Sequence, residues 1–134
     1  MTRPIEDRDS AAWWAALAEH RLLVQTCGSC GTHRLVARAL CAACGSFEWQ
    51  WTETGGTGTI ASWTVSHRAY QPERTAPYTV VMVRLDEGRD LLLPGSWGGS
   101  ADGADLAVGL RVRAAYDDLP GEPPAALLRW EAAG

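Results

Sequence analysis

Cys27-Gly28-Ser29-Cys30-Gly31 and Cys41-Ala42-Ala43-Cys44-Gly45 decide how this chain folds. Each Cys-x-x-Cys-Gly is a tight turn that aims two sulfurs the same way. The glycine after the second cysteine allows φ > 0 and turns backbone N–H groups toward the thiolates. Two such turns within eighteen residues set four thiolates at the corners of a tetrahedron, the geometry of a closed structural zinc site. Disulfides would suit a secreted chain, and nothing here resembles a signal peptide. A redox pair ordinarily stands alone in a strand–turn–helix setting. Iron stays open as a competitor, because tetrahedral sulfur sites accept either metal. The expectation is one structural zinc ion held by Cys27, Cys30, Cys41 and Cys44.

Upstream of the knuckles, residues 1–9 are polar and charged. Asp9 or Ser10 can cap a helix running to about His20 through Ala11-Ala12-Trp13-Trp14-Ala15-Ala16-Leu17-Ala18. Trp13 and Leu17 are i,i+4 neighbours with Trp14 beside them, a broad apolar face on a helix too short to stand alone. Leu22 to Thr26 reads as a strand feeding the first knuckle, and Thr32 to Arg38 as the connector. Downstream, the texture changes to short strands with glycine punctuation. Phe47 to Trp51 alternates, Thr59 to His67 follows a Gly-Gly-Thr-Gly turn, and Tyr78 to Leu85 is apolar on both faces. Leu91 to Leu93, Leu110 to Tyr116 and Ala125 to Trp130 read as further strands, with Pro94 to Asp105 as a loop carrying Trp97 and Asp117 to Pro124 as a break. The expected class is mainly β: a helical segment over 1–21, a zinc ribbon over 22–46 and a small five-stranded barrel over 47–134.

Composition narrows the function. The chain has 134 residues and a formal net charge of -4, and all twelve of its basic residues are arginine. Without lysine it cannot form a Schiff base through a side-chain amine, and with its four cysteines on a metal it keeps no thiol for acyl transfer. His20, His33 and His67 are scattered, and only His33 and His67 stand as general-base candidates. The charge has the wrong sign for a duplex nucleic-acid binder. A single-stranded nucleic-acid module is the alternative reading, since barrels and ribbons of this kind recur in that role and seven tryptophans could stack on bases. No apolar run has membrane-spanning length, and the chain is expected to be soluble and cytoplasmic.

Trp13-Trp14, His20-Arg21-Leu22-Leu23-Val24-Gln25, the two knuckles, Gly56-Thr57-Gly58-Thr59-Ile60, Ala76-Pro77-Tyr78, Leu85-Asp86-Glu87-Gly88 and Leu106 to Val112 come in the order of one family. Over about residues 9–130 the chain resembles the zinc-ribbon/OB-fold accessory proteins of thiolase-like enzymes, formerly a domain of unknown function. The resemblance implies a rubredoxin-like zinc ribbon and an OB barrel. It also implies a non-catalytic role beside a thiolase-like or lipid-transfer-protein-like aldolase or acyltransferase in a hetero-oligomer, helping it hold a CoA thioester.

Surplus apolar surface marks where such a partner is expected to dock. The helix residues Trp13, Trp14 and Leu17 and the outer face of the Tyr78 strand, with Val80 and Met82, carry that surplus. Arg68 and Arg74, in the loop before the strand, are the candidates for CoA phosphates, since guanidinium pairs phosphate bidentately.

Overall fold

The structure, a computed structural model, describes residues 3–35, 37–72 and 74–134. Met1 and Thr2 of the lead-in, Val36 of the connector and Glu73 of the loop before Tyr78 lie outside the described residues. Helix α1 spans Ala11–Ala18, two residues short of the expected end, with Ser10 at its N-cap position. The capping differs from expectation. Ser10 makes no side-chain bond into the helix; its hydroxyl accepts from the Asp7 N–H, while the Asp7 carboxylate accepts from the Ser10 N–H. The helix closes on a left-handed His20, φ 63°, whose N–H donates to the Leu17 carbonyl while the Arg21 N–H donates to that of Ala16.

Eight strands follow among the described residues. β1 (Leu23–Cys27), β2 (His33–Arg34) and β3 (Trp49–Glu53) form one antiparallel sheet in the order β2-β1-β3. β3 lies beyond residue 46, where the sequence division ended the ribbon, yet Cys27 pairs with Trp49 and Leu23 with Glu53. Alternation in Phe47–Trp51 announces a strand but not its partner, and Phe47 itself is exposed. Trp49 and Trp51 meet edge to face at 5.1 Å on this sheet rather than entering the barrel core.

β4 (Thr57–Ser66), β5 (Tyr78–Leu85), β6 (Leu92–Trp97), β7 (Arg111–Leu119) and β8 (Ala125–Ala132) close into a barrel in the order β4-β5-β6-β8-β7. All its pairs are antiparallel except β6 with β8. This is the five-stranded OB arrangement. Trp97, expected in a loop, ends β6 beside Trp130 of β8 and is 9% exposed. The Pro94-Gly95 pair that reads as a loop is strand, and its glycine has a packing reason. A Cβ on Gly95 would lie 2.6 Å from Cδ1 of the buried Trp130. β7 likewise runs on through Asp117 and Asp118, which sequence reading placed in a turn.

The burial of β5 alternates: Thr79, Val81, Val83 and Leu85 face inward, while Tyr78, Val80 and Met82 are left partly or fully exposed. One core joins all three parts. Leu17 of α1 and Leu22 and Val24 of the ribbon cluster with Ile60, Val81, Val83, Val112 and Trp130 of the barrel. The ribbon therefore leans on the barrel as well as on its metal. No described helix is long and apolar enough to cross a membrane.

Candidate metal centre and apolar groove

The two knuckles fold alike because their sequences are alike. Gly31 and Gly45 take φ 76° and 77°, and their N–H groups close the turns onto the carbonyls of Cys27 and Cys41, at 3.0 and 2.8 Å. In the first turn the N–H groups of Ser29 and Cys30 point at the Cys27 sulfur, at 3.4 and 3.5 Å. Ser29 donates its hydroxyl to that of Ser46 at 2.8 Å, and the Gly28 N–H reaches the Glu48 carbonyl, so the turns are tied to one another. All four sulfurs lie within 4.8 Å of each other.

The donor set fits a tetrahedral cation. Ligand bonds of about 2.3 Å place sulfurs about 3.8 Å apart, and the Cys27–Cys44 and Cys30–Cys41 separations are 3.6 and 3.7 Å. A disulfide would need about 2.05 Å. Electrostatics point the same way. The N–H groups of Cys30 and Ser29 lower the Cys27 thiol to about 6. The Thr32 hydroxyl lowers Cys30. The Ser46 N–H favours the Cys44 thiolate, yet neighbouring Cys27 and Cys30 push that thiol up to about 12. Four thiolates this close cannot all ionise without a cation among them. Four protein ligands leave no open coordination position, which makes the centre structural rather than catalytic.

The second feature is an open apolar groove of about 630 Å³, in which α1, the connector and the loop after β4 meet the outer face of β5, β6 and β8. Trp13, Trp14, Leu17, Arg74 and Val80, all singled out from the sequence, line it together. Their individual circumstances differ. Leu17 is 0% exposed, which corrects its place among residues a partner could touch: the barrel core has already taken it. Trp13 is half-buried and donates its indole N–H to the Leu23 carbonyl at 3.0 Å. Trp14 is half-buried at the groove wall, and Val80 is 36% exposed. Tyr78 and Met82 share Val80's outward face without lining the groove. The Arg74 guanidinium lies 4.2 Å from the centre of the Tyr78 ring and donates to the Ser96 hydroxyl. Arg68 stands apart, exposed, over the Tyr70 ring at 5.1 Å. Leu35, Leu93, Ser96 and Leu127 are among the other wall residues; no local pattern marks them, because the groove exists only once the ribbon has folded onto the barrel.

The histidines do not gather. His20 meets Asp118 at 2.8 Å, His33 meets the Thr26 hydroxyl at 2.9 Å, and His67 is exposed at the end of β4.

Comparison with known proteins bears on the metal centre and on the fold. Residues 14–50 match the family described as ChsH2, rubredoxin-like zinc ribbon domain, and residues 51–117 that described as ChsH2, C-terminal OB-fold domain. A probable enoyl-CoA hydratase alpha subunit of Thermomonospora curvata is 40% identical over 90 residues, covering 67% of this chain and 28% of that protein. The 3-oxo-4,17-pregnadiene-20-carboxyl-CoA hydratase alpha subunit of Mycobacterium tuberculosis is 34% identical over 127 residues, covering 90% and 37%. The chain thus spans about a third of the length of these curated relatives. A chain of the solved Ltp2-ChsH2(DUF35) aldolase superposes with a TM-score of 0.85 at 33% identity, over 98% of this chain and 100% of that one. A DUF35 protein of unknown function from Sulfolobus solfataricus superposes with a TM-score of 0.63 at 18% identity, over 94% and 86%, which speaks to the fold alone. The four clustered cysteines of a rubredoxin-like zinc ribbon domain are the donor set of a structural zinc site.

Proposed function

The chain belongs to the ChsH2 family of zinc-ribbon and OB-fold proteins, and from that premise we propose that it is a non-catalytic subunit of a hetero-oligomeric enzyme acting on CoA thioesters. The observation that carries this reading is the end-to-end correspondence with a chain of the Ltp2-ChsH2(DUF35) aldolase. The partner is accordingly an aldolase-like or thiolase-like enzyme, which supplies the reacting groups. This chain supplies none of the usual ones: it has no lysine, and its four cysteines sit in the metal cluster. Its own residues shape and hold. The zinc thiolates fix the ribbon, the ribbon props α1 against the barrel, and α1 with Tyr78, Val80 and Met82 presents an aromatic and aliphatic surface for docking. CoA phosphates run along the loop after β4, past Arg74 to Arg68.

A second reading has its own support, since two relatives are named hydratase alpha subunits. The chain spans only 28% and 37% of them, and we assign the hydratase chemistry of those proteins to the remainder of their length. The nucleic-acid alternative is disfavoured by the net charge of -4.

Co-expression with an aldolase-like enzyme tests the proposal. The two chains are expected to co-purify, and the complex to cleave a β-hydroxyacyl-CoA faster or survive longer than the enzyme alone. Carbon–carbon cleavage or thioester hydrolysis by the purified chain by itself would overturn it.

A further inference from the structure

The two knuckles repeat as Cys-x-x-Cys-Gly-Thr and Cys-x-x-Cys-Gly-Ser, and the repeat fails at one hydroxyl. Thr32 follows Cys30 by two residues, and its hydroxyl lies 3.0 Å from that sulfur. A metal-bound thiolate has no proton to give, so the hydroxyl is the donor there. Ser46 holds the same place after Cys44, but its hydroxyl is turned away. It accepts from the Ser29 hydroxyl at 2.8 Å and from the Glu48 N–H at 3.0 Å. The Cys30 sulfur thus has both the hydroxyl and the N–H of Thr32. Among the described residues, the Cys44 sulfur has only the Ser46 N–H besides its fellow sulfurs. Hydrogen bonds to a ligating sulfur draw off its charge and weaken it as a nucleophile.

Access sorts the four further. Cys27 and Cys41 are each 2% exposed, whereas Cys30 and Cys44 reach the surface. Around Cys44 stand Ala42, Ala43 and Gly45, all exposed and too small to shield it. Cys44 is the ligand that is both open and thinly hydrogen-bonded.

We propose that Cys44 is a modification site, the thiolate at which a peroxide-class oxidant opens the cluster. Its sulfur attacks one peroxide oxygen. The S–O bond forms, the O–O bond breaks, and the departing hydroxide takes up a proton to become water. The sulfenic acid so formed is met by a second thiolate of the cluster, whose sulfurs all lie within 4.8 Å of one another. The S–S bond forms, the S–O bond breaks and a second hydroxide leaves. Two sulfurs have together given up two electrons, and the peroxide has gained them. The two thiolates left over are too few to keep a tetrahedral cation. β1, which carries Val24 into the common core, then loses the anchor at its Cys27 end.

The test exposes the purified, zinc-loaded chain to hydrogen peroxide and follows zinc release with a chromogenic chelator, against a peroxide-free control. Dimedone traps the sulfenic acid at low conversion, and mass spectrometry locates it. Release of close to one zinc ion per chain is expected, with the first label on Cys44 and at least fourfold less on Cys30. Cys44→His keeps four ligands in a Cys₃His set and is expected to release zinc at least tenfold more slowly. Cys30→His, the same exchange at the other exposed ligand, is expected to stay within threefold of the unsubstituted rate. Thr32→Val removes the hydroxyl without touching a ligand, and is expected to raise labelling of Cys30 to the level of Cys44. First labelling at Cys30, unslowed release from Cys44→His, or zinc retained under excess peroxide would each overturn the proposal. Unchanged labelling of Cys30 in Thr32→Val would do so too, because the hydroxyl would then not be what separates the two knuckles. Should Cys44→His fail to hold zinc, the labelling order in the unsubstituted chain and in Thr32→Val still decides.

Discussion

The imidazole of His20 lies flat on the ring of Tyr116, centroids 4.9 Å apart and planes 9° from parallel, while its own backbone is left-handed at φ 63°. A glycine ordinarily takes this position after a helix. Here a side chain accepts strain of about 1–2 kcal/mol because stacking on β7 and the bond to Asp118 fasten the end of α1 to the barrel.

Substitutions at His20 separate those terms. His20→Ala keeps the strain and loses the contacts, at a cost of about 1 kcal/mol. His20→Gly loses the contacts but also the strain, and is expected to be more stable than the alanine variant by about 1 kcal/mol. Urea denaturation gives the order directly. An alanine variant as stable as the glycine one would mean that the left-handed backbone carries no strain.

Metal removal should act on folding rather than on a reaction step. Purified protein is expected to carry close to one zinc ion per chain, since binding energies of about 10–16 kcal/mol are typical of such sites. Cys41 is 2% exposed, so Cys41→Ser is expected to release the metal, disorder the ribbon and reduce solubility. Protons compete for the thiolates, so zinc affinity must fall as the pH is lowered. A chelator-treated protein whose far-UV and near-UV circular dichroism match those of the zinc form would contradict a structural role.

Asp86 gives the barrel an acid-sensitive contact. It accepts two bonds from Arg111, at 2.6 and 2.8 Å, and one from the Thr57 hydroxyl. Arg111 first and Thr57 second lower its pKa from 3.8 to about 2. A folded value below the unfolded one means stability that is complete above pH 3.8 and lost as the pH falls through about 2. Arg111 and Asp86 are 53% and 40% exposed, so solvent screening holds the contribution to about 0.5–1 kcal/mol. Asp86→Asn is expected to be less stable by that amount at pH 7, with the gap closing between pH 4 and pH 2. A gap unchanged at pH 2 would assign the effect to something other than ionisation.

How far the sequence could be read follows from the range of each signal. The zinc cluster was legible because knuckle chemistry is local, two cysteines and a glycine per turn. The two faces of β5 were legible because alternation is local as well. Pairing is not. Trp49 alternates correctly with Trp51, but only the fold shows that it lies beside Cys27. Gly95 looked like a loop residue because its reason, the bulk of Trp130 pressed against it, sits 35 residues away. Leu17 looked available to a partner because i,i+4 spacing tells which residues share a face, not what covers it.

The same distinction governs the two adjacent tryptophans. Trp13 turns back on its own chain: its indole N–H holds the Leu23 carbonyl at 3.0 Å, so α1 is bonded to the first ribbon strand. Trp13→Ala therefore removes packing and leaves that carbonyl without its donor, at about 3 kcal/mol. Trp13→Phe keeps most of the packing and costs about 1 kcal/mol, the hydrogen bond alone. Trp14 packs against the core while also walling the groove, and as a docking residue it has a different signature. Trp14→Ala is expected to weaken co-purification with the partner enzyme at least tenfold, while lowering the melting temperature by clearly less than Trp13→Ala does. Thermal melts of the isolated chain and pull-down at matched zinc content measure the two effects separately. A Trp14→Ala protein that melts as early as Trp13→Ala yet binds its partner normally would assign Trp14 to the core and move the interface elsewhere.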